Sequence, residues 1–315
     1  MKRLKALLLT EGMHGMISQV EGMAKALNAE YNHKIVRLNF PWNLIPPKFS
    51  PISEIVLKDK MSINENENFD LIISCGRKSI IPSILIKKKN PKIFTIHVQN
   101  PKVSFKNFDA IIAPEHDGLE GDNIYSSKGA VHYITESEIN KAKPYLYNKI
   151  KSEKVVSLIL GGPNKYYKFE KDQLIKIFNL IKSEFVSKGY KIIVVPSMRT
   201  PIESIKLSAK EMGSYGYVVN KVDKQAYLSA YGLADYVVVT CDSISMISEA
   251  ATSGKPIFVA HMKEKKYNYR FKRFFKLFKT MGIIRDLGEK IENWTYQRHN
   301  EAERIAATLK NKIKN

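Results

Sequence analysis

Short runs rich in Ile, Leu and Val alternate along this chain with stretches whose apolar positions recur every three to four residues. The runs at 4–9, 35–39, 71–74, 93–98 and 110–113 are four to six residues long and usually close on Gly, Pro or Asn. Largely apolar runs of that length, without a strict inside–outside alternation, predict strands buried on both faces of a parallel sheet. Residues 17–27 and 79–88 carry the helical period between them, and 43–51, with three prolines, reads as a loop. The period lapses over the polar, basic residues 145–154 and then restarts. Strands are predicted at 155–160, 191–195, 217–219, 236–240 and 256–260, with helices at 170–187, 202–212, 224–233 and 243–253. An amphipathic helix at 299–313 closes the pattern. Strand–helix alternation twice over predicts two doubly wound α/β domains. The first spans 1–148 and the second 149–298, with 299–315 a terminal helix able to pack back on the first.

The chain has 315 residues, 44% of them hydrophobic and 26% charged, so each domain can bury a core and wholesale disorder is excluded. No apolar stretch approaches the ~20 residues of a membrane span, and residues 6–10 are too short for a secretory signal core of ~7–15. A cytoplasmic location is therefore expected. Cys75 and Cys241 stand far apart, which offers neither a disulfide framework nor zinc-ligand spacing. The net charge of +20 is uneven: residues 1–150 hold 21 basic and 15 acidic side chains, whereas 151–315 hold 30 and 16. Half of the second excess lies in 263–279, where eight cations face a single acid, Glu264. Phe271, Phe274, Phe275 and Phe278 recur there at i, i+3, i+4, i+7, giving an aromatic face with Lys272, Arg273 and Lys276 on the remainder. Such a helix either lies on an anionic membrane surface or packs its phenylalanines inward. No nucleic-acid-binding module accompanies the charge.

In doubly wound sheets, ligands bind beyond the carboxyl ends of the strands. After the strand at 236–240, a turn at Asp242-Ser243 runs directly into a helix, whose first amides and dipole suit a phosphate. Ser243 and Ser245 add hydroxyls, and Glu249 lies one turn beyond Ser245 on the same helical face, where it could accept the two hydroxyls of a ribose. The plainer alternative is an N-cap followed by a solvated glutamate. Gly161-Gly162-Pro163 follows the first strand of the same domain, without Walker or GxGxxG context. Arg199 ends the next strand and suits a diphosphate. In the first domain the opening strand runs into Glu11-Gly12-Met-His14-Gly, where His14 either accepts a proton or merely caps a turn. Later strands end in Ser74-Cys-Gly-Arg77 and Pro114-Glu115-His116-Asp117. Adjacent residues of that kind rarely converge on one ion, so no metal site is expected. His97 reads equally as a satisfied interior residue or a functional one.

Together these loops resemble the mitochondrial-fission ELM family, whose bacterial members are grouped with glycosyltransferases. The resemblance spans nearly the whole chain. It runs through Glu11-Gly12, His14-Gly15, Ser74-Cys-Gly-Arg77, His97-Val-Gln99-Asn100-Pro101, Pro114-Glu-His-Asp117, Gly161-Gly-Pro163 and Arg199-Thr-Pro201. Its longest string is Thr240-Cys-Asp-Ser-Ile-Ser-Met-Ile-Ser-Glu-Ala250. The second half also resembles the peptidoglycan lipid-linked N-acetylglucosaminyltransferase, through Asp223, Tyr227, Ala234-Asp235 and the serine-rich turn before Glu249. The resemblance implies a GT-B-like fold, α/β, with two Rossmann-like domains whose parallel sheets face a central cleft. It implies a metal-independent glycosyltransferase, without a cofactor, that moves a sugar from a nucleotide-sugar to a lipid-linked or envelope glycan. It would work at the inner face of the cytoplasmic membrane. Glu249 would hold the ribose and Asp242, Ser243 and Ser245 the diphosphate. Gly161, Gly162, Pro163 and Arg199 would flank the phosphates, and Val218 the base. His14, Glu11, Glu115, His116 and Asp117 would be the catalytic candidates, with Gly12, Arg77, Gln99 and Asn100 on the acceptor side. Two departures stand out: Met198 where an arginine commonly precedes Arg199, and Lys224-Gln225-Ala226 in place of an Asn-Pro turn. The alternatives are a non-catalytic membrane-associated scaffold and a nucleotide-sugar epimerase. The latter would call for a nicotinamide and a GxGxxG loop, which residues 11–18 do not supply.

Overall fold

A computed structural model describes residues 3–59 and 69–313. The chain forms two compact units, residues 1–133 with 300–315, and residues 134–299. The first unit contains β1 (Lys5–Thr10), α1 (His14–Ala26), β2 (Glu30–Ile35), β3 (Leu71–Cys75), α2 (Ile80–Lys89), β4 (Phe94–Val98), β5 (Ala110–Pro114) and β6 (Ile124–Ser127). These strands make a six-stranded sheet in the order β2-β1-β3-β4-β5-β6, parallel throughout. The central strands are buried along nearly their whole length, which is why their sequences are mostly apolar, with only small or hydrogen-bonded polar residues such as Ser74 and His97 among them.

The second unit opens with α3 (Glu136–Ala142) and α4 (Pro144–Ile150). Then come β7 (Val155–Leu160), α5 (Lys171–Glu184), β8 (Lys191–Pro196), α6 (Ile202–Met212), β9 (Gly216–Val218), α7 (Lys224–Leu233), β10 (Tyr236–Thr240), α8 (Ile244–Ala251), β11 (Ile257–Ala260), α9 (Tyr269–Thr280) and β12 (Ile284–Asp286). Its sheet, β12-β11-β10-β7-β8-β9, is also parallel, and from β9 inward it follows the dinucleotide-fold order 3-2-1-4-5-6. Both units are thus doubly wound α/β sheets. The order reverses beside the first strand of each: between β1 and β3, and between β7 and β10.

Two expectations change. The division falls at 133/134 rather than 148/149, because α3 and α4 pack on α7. The Ser229 hydroxyl donates to the Lys143 carbonyl at 3.0 Å and accepts from the Leu146 amide at 3.1 Å. A Cβ at Gly232 would meet the Ile139 carbonyl oxygen at 2.9 Å. The lapse in periodicity over 145–154 marks a short helix and its exit, not a linker. The second strand is 30–35, not 35–39; beyond it, Val36 and Leu38 turn inward to an apolar cluster. The helix α10 (Glu301–Ile313) belongs to the first unit, where Ala302, Ile305, Ala306 and Leu309 pack with Val20, Met23 and Ala24 of α1.

Candidate functional site

In the second unit, the loops after β7, β8 and β10 converge on one buried carboxylate. The Asp242 side chain has no exposed surface. One carboxylate oxygen accepts from the Gly162 amide at 3.0 Å and from Arg199 at 2.8 Å, and the other from the Thr240 hydroxyl at 2.7 Å. Burial pushes this carboxyl up, against the amide, the hydroxyl and the guanidinium, which all hold it down. The paired glycines serve the same closure. A Cβ at Gly161 would lie 2.2 Å from an Asp242 carboxylate oxygen, and one at Gly162 1.9 Å from the Arg199 carbonyl oxygen. Asn164 completes the knot: its side-chain amide donates to the Asp242 carbonyl at 3.0 Å, and its oxygen accepts the Tyr166 and Tyr167 amides. Asp242 therefore acts within the protein, placing Arg199 and the Gly161–Gly162 backbone, rather than meeting a ligand. Arg199 keeps 40% of its side-chain surface exposed, beside the exposed Met198.

Beside this knot α8 begins. Ser243 caps it, accepting from the Met246 amide at 3.3 Å, while the half-buried Ser245 hydroxyl makes no hydrogen bond among the described residues. The amides of the first turn have no partner within the helix and sit at its positive end. One turn on, Glu249 is part-buried and its Oε2 accepts from the Tyr227 hydroxyl at 2.6 Å. Tyr227 in turn accepts from Tyr231 at 2.7 Å. Burial without a cation beside it pushes the Glu249 carboxyl up to about 7, the tyrosine hydrogen bond pulling the other way. The Lys224-Gln225-Ala226 departure leaves α7 well started: Asp223 accepts from the Gln225 and Ala226 amides at 2.8 and 3.1 Å. Val218 ends the edge strand β9, one side of whose backbone is outside the sheet ladder.

In the first unit, the reversal beside β1 brings Glu11 to the loop after β3. Its carboxylate accepts from the Lys78 amide at 3.1 Å and pairs with the Lys78 ammonium at 3.4 Å. Gly12 and Gly76 hold φ of +87° and +95°, a backbone region that side chains with a Cβ avoid. His14 opens α1, exposed, with its ring edge-on to Tyr133 at 6.4 Å. Arg77 is turned to structural use, donating to the carbonyls of Ile45 (2.7 Å) and Asn43. Gln99, in the left-handed region at φ +86°, donates to Gln19 at 3.2 Å. The Asn100 side chain closes a local turn onto the Lys102 amide. Glu115 and Asp117 lie on a short helical turn after β5, three strands from β1 and so roughly 14 Å away. The structure does not bring them to Glu11. The side chain of His116 lies outside the described residues. His97 is wholly buried, bonded to the Ser74 hydroxyl at 2.8 Å and driven down to about 3 by burial, as a satisfied core histidine. Among the described residues no cluster of His, Cys, Asp and Glu could hold a metal.

The basic helix α9 resolves toward packing. Phe271, Phe274, Phe275 and Phe278 are all buried, meeting Tyr166, Tyr167 and His299. The aromatic face is therefore not available to a membrane. Lys272, Arg273 and Lys276 are exposed; Lys272 pairs with Glu264 at 2.7 Å and Arg273 lies over the Tyr269 ring. No described helix is long and apolar enough to cross a membrane. Sequence reasoning gave no role in the site to Asn164, Tyr227 and Tyr231, and it overlooked the pair His261–Asp286, joined at 2.7 Å. Partners separated by 22 and 25 residues leave no local pattern, although Tyr227 and Tyr231 share a helical face by their i, i+4 spacing.

A model of the family described as mitochondrial fission ELM1 matches residues 14–313. An uncharacterized protein of Rickettsia prowazekii is 27% identical, with 95% of this chain and 94% of that protein covered. The mitochondrial fission protein ELM1 of Arabidopsis thaliana is 23% identical over 77% of this chain, a match spanning 64% of the plant protein's length. Among solved structures, UDP-GlcNAc 2-epimerase from Methanocaldococcus jannaschii superposes with a TM-score of 0.53 at 15% identity, covering 97% of this chain and 99% of that one. The UDP-GlcNAc 2-epimerase of Neisseria meningitidis bound to UDP-GlcNAc gives 0.53 at 11% identity, with coverage of 99% and 92%. A UDP-glucosyltransferase from Polygonum tinctorium gives 0.52 at 10% identity, with 99% and 93%. At these identities the likeness is one of fold, the GT-B-like architecture that transferases and epimerases share.

Proposed function

The chain belongs to the mitochondrial fission ELM1 family, and from that premise we propose that it is a glycosyltransferase whose second unit binds a nucleoside-diphosphate sugar. The observation that carries this reading is the grouping at the reversal point of the second sheet. A helix N-terminus with a serine hydroxyl that has no partner among the described residues, an anchored arginine and a carboxylate one turn deeper stand together beside the ends of β7 and β10. Phosphates suit the α8 amides, Ser243, Ser245 and Arg199. A ribose diol suits Glu249, and the base suits the open backbone edge at Val218. In the reaction, a general base takes the proton of an acceptor hydroxyl. The oxygen then bonds to the anomeric carbon, and the bond to the diphosphate breaks with its electron pair leaving on phosphate. Arg199 and the helix dipole stabilise that developing charge. His14, exposed and in no ion pair among the described residues, suits the base better than Glu11, which Lys78 already engages. The acceptor we favour is a lipid-linked or envelope glycan, met at the inner membrane face. Calorimetry against UDP, ADP, GDP, CDP and TDP tests the reading: one of them should bind, and Glu249→Ala or Arg199→Ala should weaken it about tenfold or more. Absence of heat with all five would overturn it.

A non-catalytic scaffold is the second reading, favoured by the name of the Arabidopsis relative. Normal complementation by a His14→Ala, Glu11→Ala, Glu115→Ala variant would establish it over catalysis.

A further inference from the structure

The hydroxyls of Tyr231 and Tyr227 and the carboxylate of Glu249 form a directed chain whose purpose packing alone does not explain. We propose that Tyr227, backed by Tyr231, is a positioning residue that holds Glu249 ready for a ribose diol, so that gripping the nucleotide's sugar hydroxyls is coupled to loss of a proton from this carboxyl. The inference rests on the reading of Glu249 as the ribose contact.

An ionised Glu249 can only accept, which sets the direction of the chain: the Tyr227 hydroxyl donates to Oε2 at 2.6 Å and accepts from Tyr231 at 2.7 Å, whose own hydroxyl also lies 3.4 Å from the Met246 carbonyl. Glu249 Oε1 has no partner among the described residues. In the ionised state, Oε1 and the remaining lone pair of Oε2 are acceptors, which is what two ribose hydroxyls need. In the protonated state the carboxyl gives up one acceptor site to its own proton and loses the charge that strengthens the others, so the diol is held less tightly until that proton passes to solvent.

The surroundings make that proton hard to lose. Tyr227 and Tyr231 of α7 face the carboxyl, and Tyr296 lies behind Tyr231. The strands β10 and β11, on which α8 packs, bring no charged side chain. No Lys, Arg or His pairs with Glu249 among the described residues, and burial raises its carboxyl to about 7. Among the described residues Tyr227 is the one group that favours the ionised form. A Tyr227 hydrogen bond serving only to pin α7 to α8 would leave the midpoint of that pH dependence where it is when the hydroxyl is removed.

The experiment measures affinity for UDP and for 2′,3′-dideoxy-UDP from pH 5.5 to 8.5, with the ADP, GDP and CDP pairs in parallel. The ratio of the two affinities cancels the titration of the diphosphate itself and reports the diol alone. In the wild-type protein the ratio should rise about tenfold between pH 6 and 8, with its midpoint near 7. Tyr227→Phe should move the midpoint upward and cut the ratio at pH 7 roughly three- to tenfold. Tyr231→Phe should do the same more weakly, and Glu249→Gln should give a low, flat ratio. A ratio that does not change with pH while both nucleotides bind overturns the inference and leaves the nucleotide reading standing. A folded Tyr227→Phe protein with the wild-type profile overturns it too. Failure of every nucleoside diphosphate to bind at any pH overturns both.

Discussion

At Gly162 the room for a side chain is absent: an added methyl would meet the Arg199 carbonyl oxygen far inside van der Waals contact. Gly162→Ala must therefore push apart the loops after β7 and β8, at about 1–3 kcal/mol. Because Arg199 moves with its loop, nucleotide affinity should fall alongside the melting temperature; a variant that melts and binds as wild type would contradict this close approach. Glu249 makes a prediction of a different kind. Its folded-state value lies above the ordinary 4.5, so folding favours the protonated form. The stability this contributes is complete below about pH 4.5 and is lost as pH rises through about 7. Glu249→Gln, which cannot ionise and still accepts from Tyr227, should match wild type near pH 5 and melt above it at pH 8, by up to about 3 kcal/mol. Equal melting at both pH values would show that the carboxyl titrates normally. The serine-rich turn and Glu249 were legible as a string because a helix repeats every turn. The inward role of Asp242 was not, since Gly162 and Arg199, the residues that bury it, come from other loops.

Helix α9 shows how far a periodic pattern carries. The spacing of its four phenylalanines defined a face but left two destinations open, and neighbouring side chains decided between them. Phe278→Ala, which empties a fully buried ring position, should cost about 3–5 kcal/mol. Reversing the charge of Lys272, Arg273 and Lys276 touches only exposed groups and should change stability by under about 1 kcal/mol. If the cationic side of α9 adheres to anionic vesicles, the same triple reversal should abolish co-sedimentation; unchanged binding would remove it from any membrane role. Strands follow a similar rule. The central strands stood out as apolar runs because both faces are buried. The edge strands β6 and β12 went unseen, and β2 was placed five residues late. Their sequences, Ile124-Tyr-Ser-Ser127, Ile284-Arg-Asp286 and Glu30-Tyr-Asn-His-Lys-Ile35, are short or polar because an edge keeps one side in water.

For the whole molecule, α10 is the informative piece, since it follows the second unit in sequence and completes the core of the first. Truncation after residue 299 would uncover Ala302, Ile305, Ala306 and Leu309 together with their partners on α1. At about 1.5–3 kcal/mol for each large apolar side chain, the first unit should lose several kcal/mol. The second, to which α10 does not belong, should keep its hydrogen-exchange protection; equal loss in both units would refute this division. By itself the sequence determined the alternation of strand and helix, the doubly wound class, the loops where chemistry gathers and the amphipathic faces. Each of these is written in neighbours a few residues apart, through the periods of strand and helix. Only the tertiary structure decided which helices join which unit, where the strand order reverses, and that Asp242 faces inward. It alone set Tyr227 against Glu249. Those outcomes depend on side chains remote in sequence meeting in space, and no local period records such meetings.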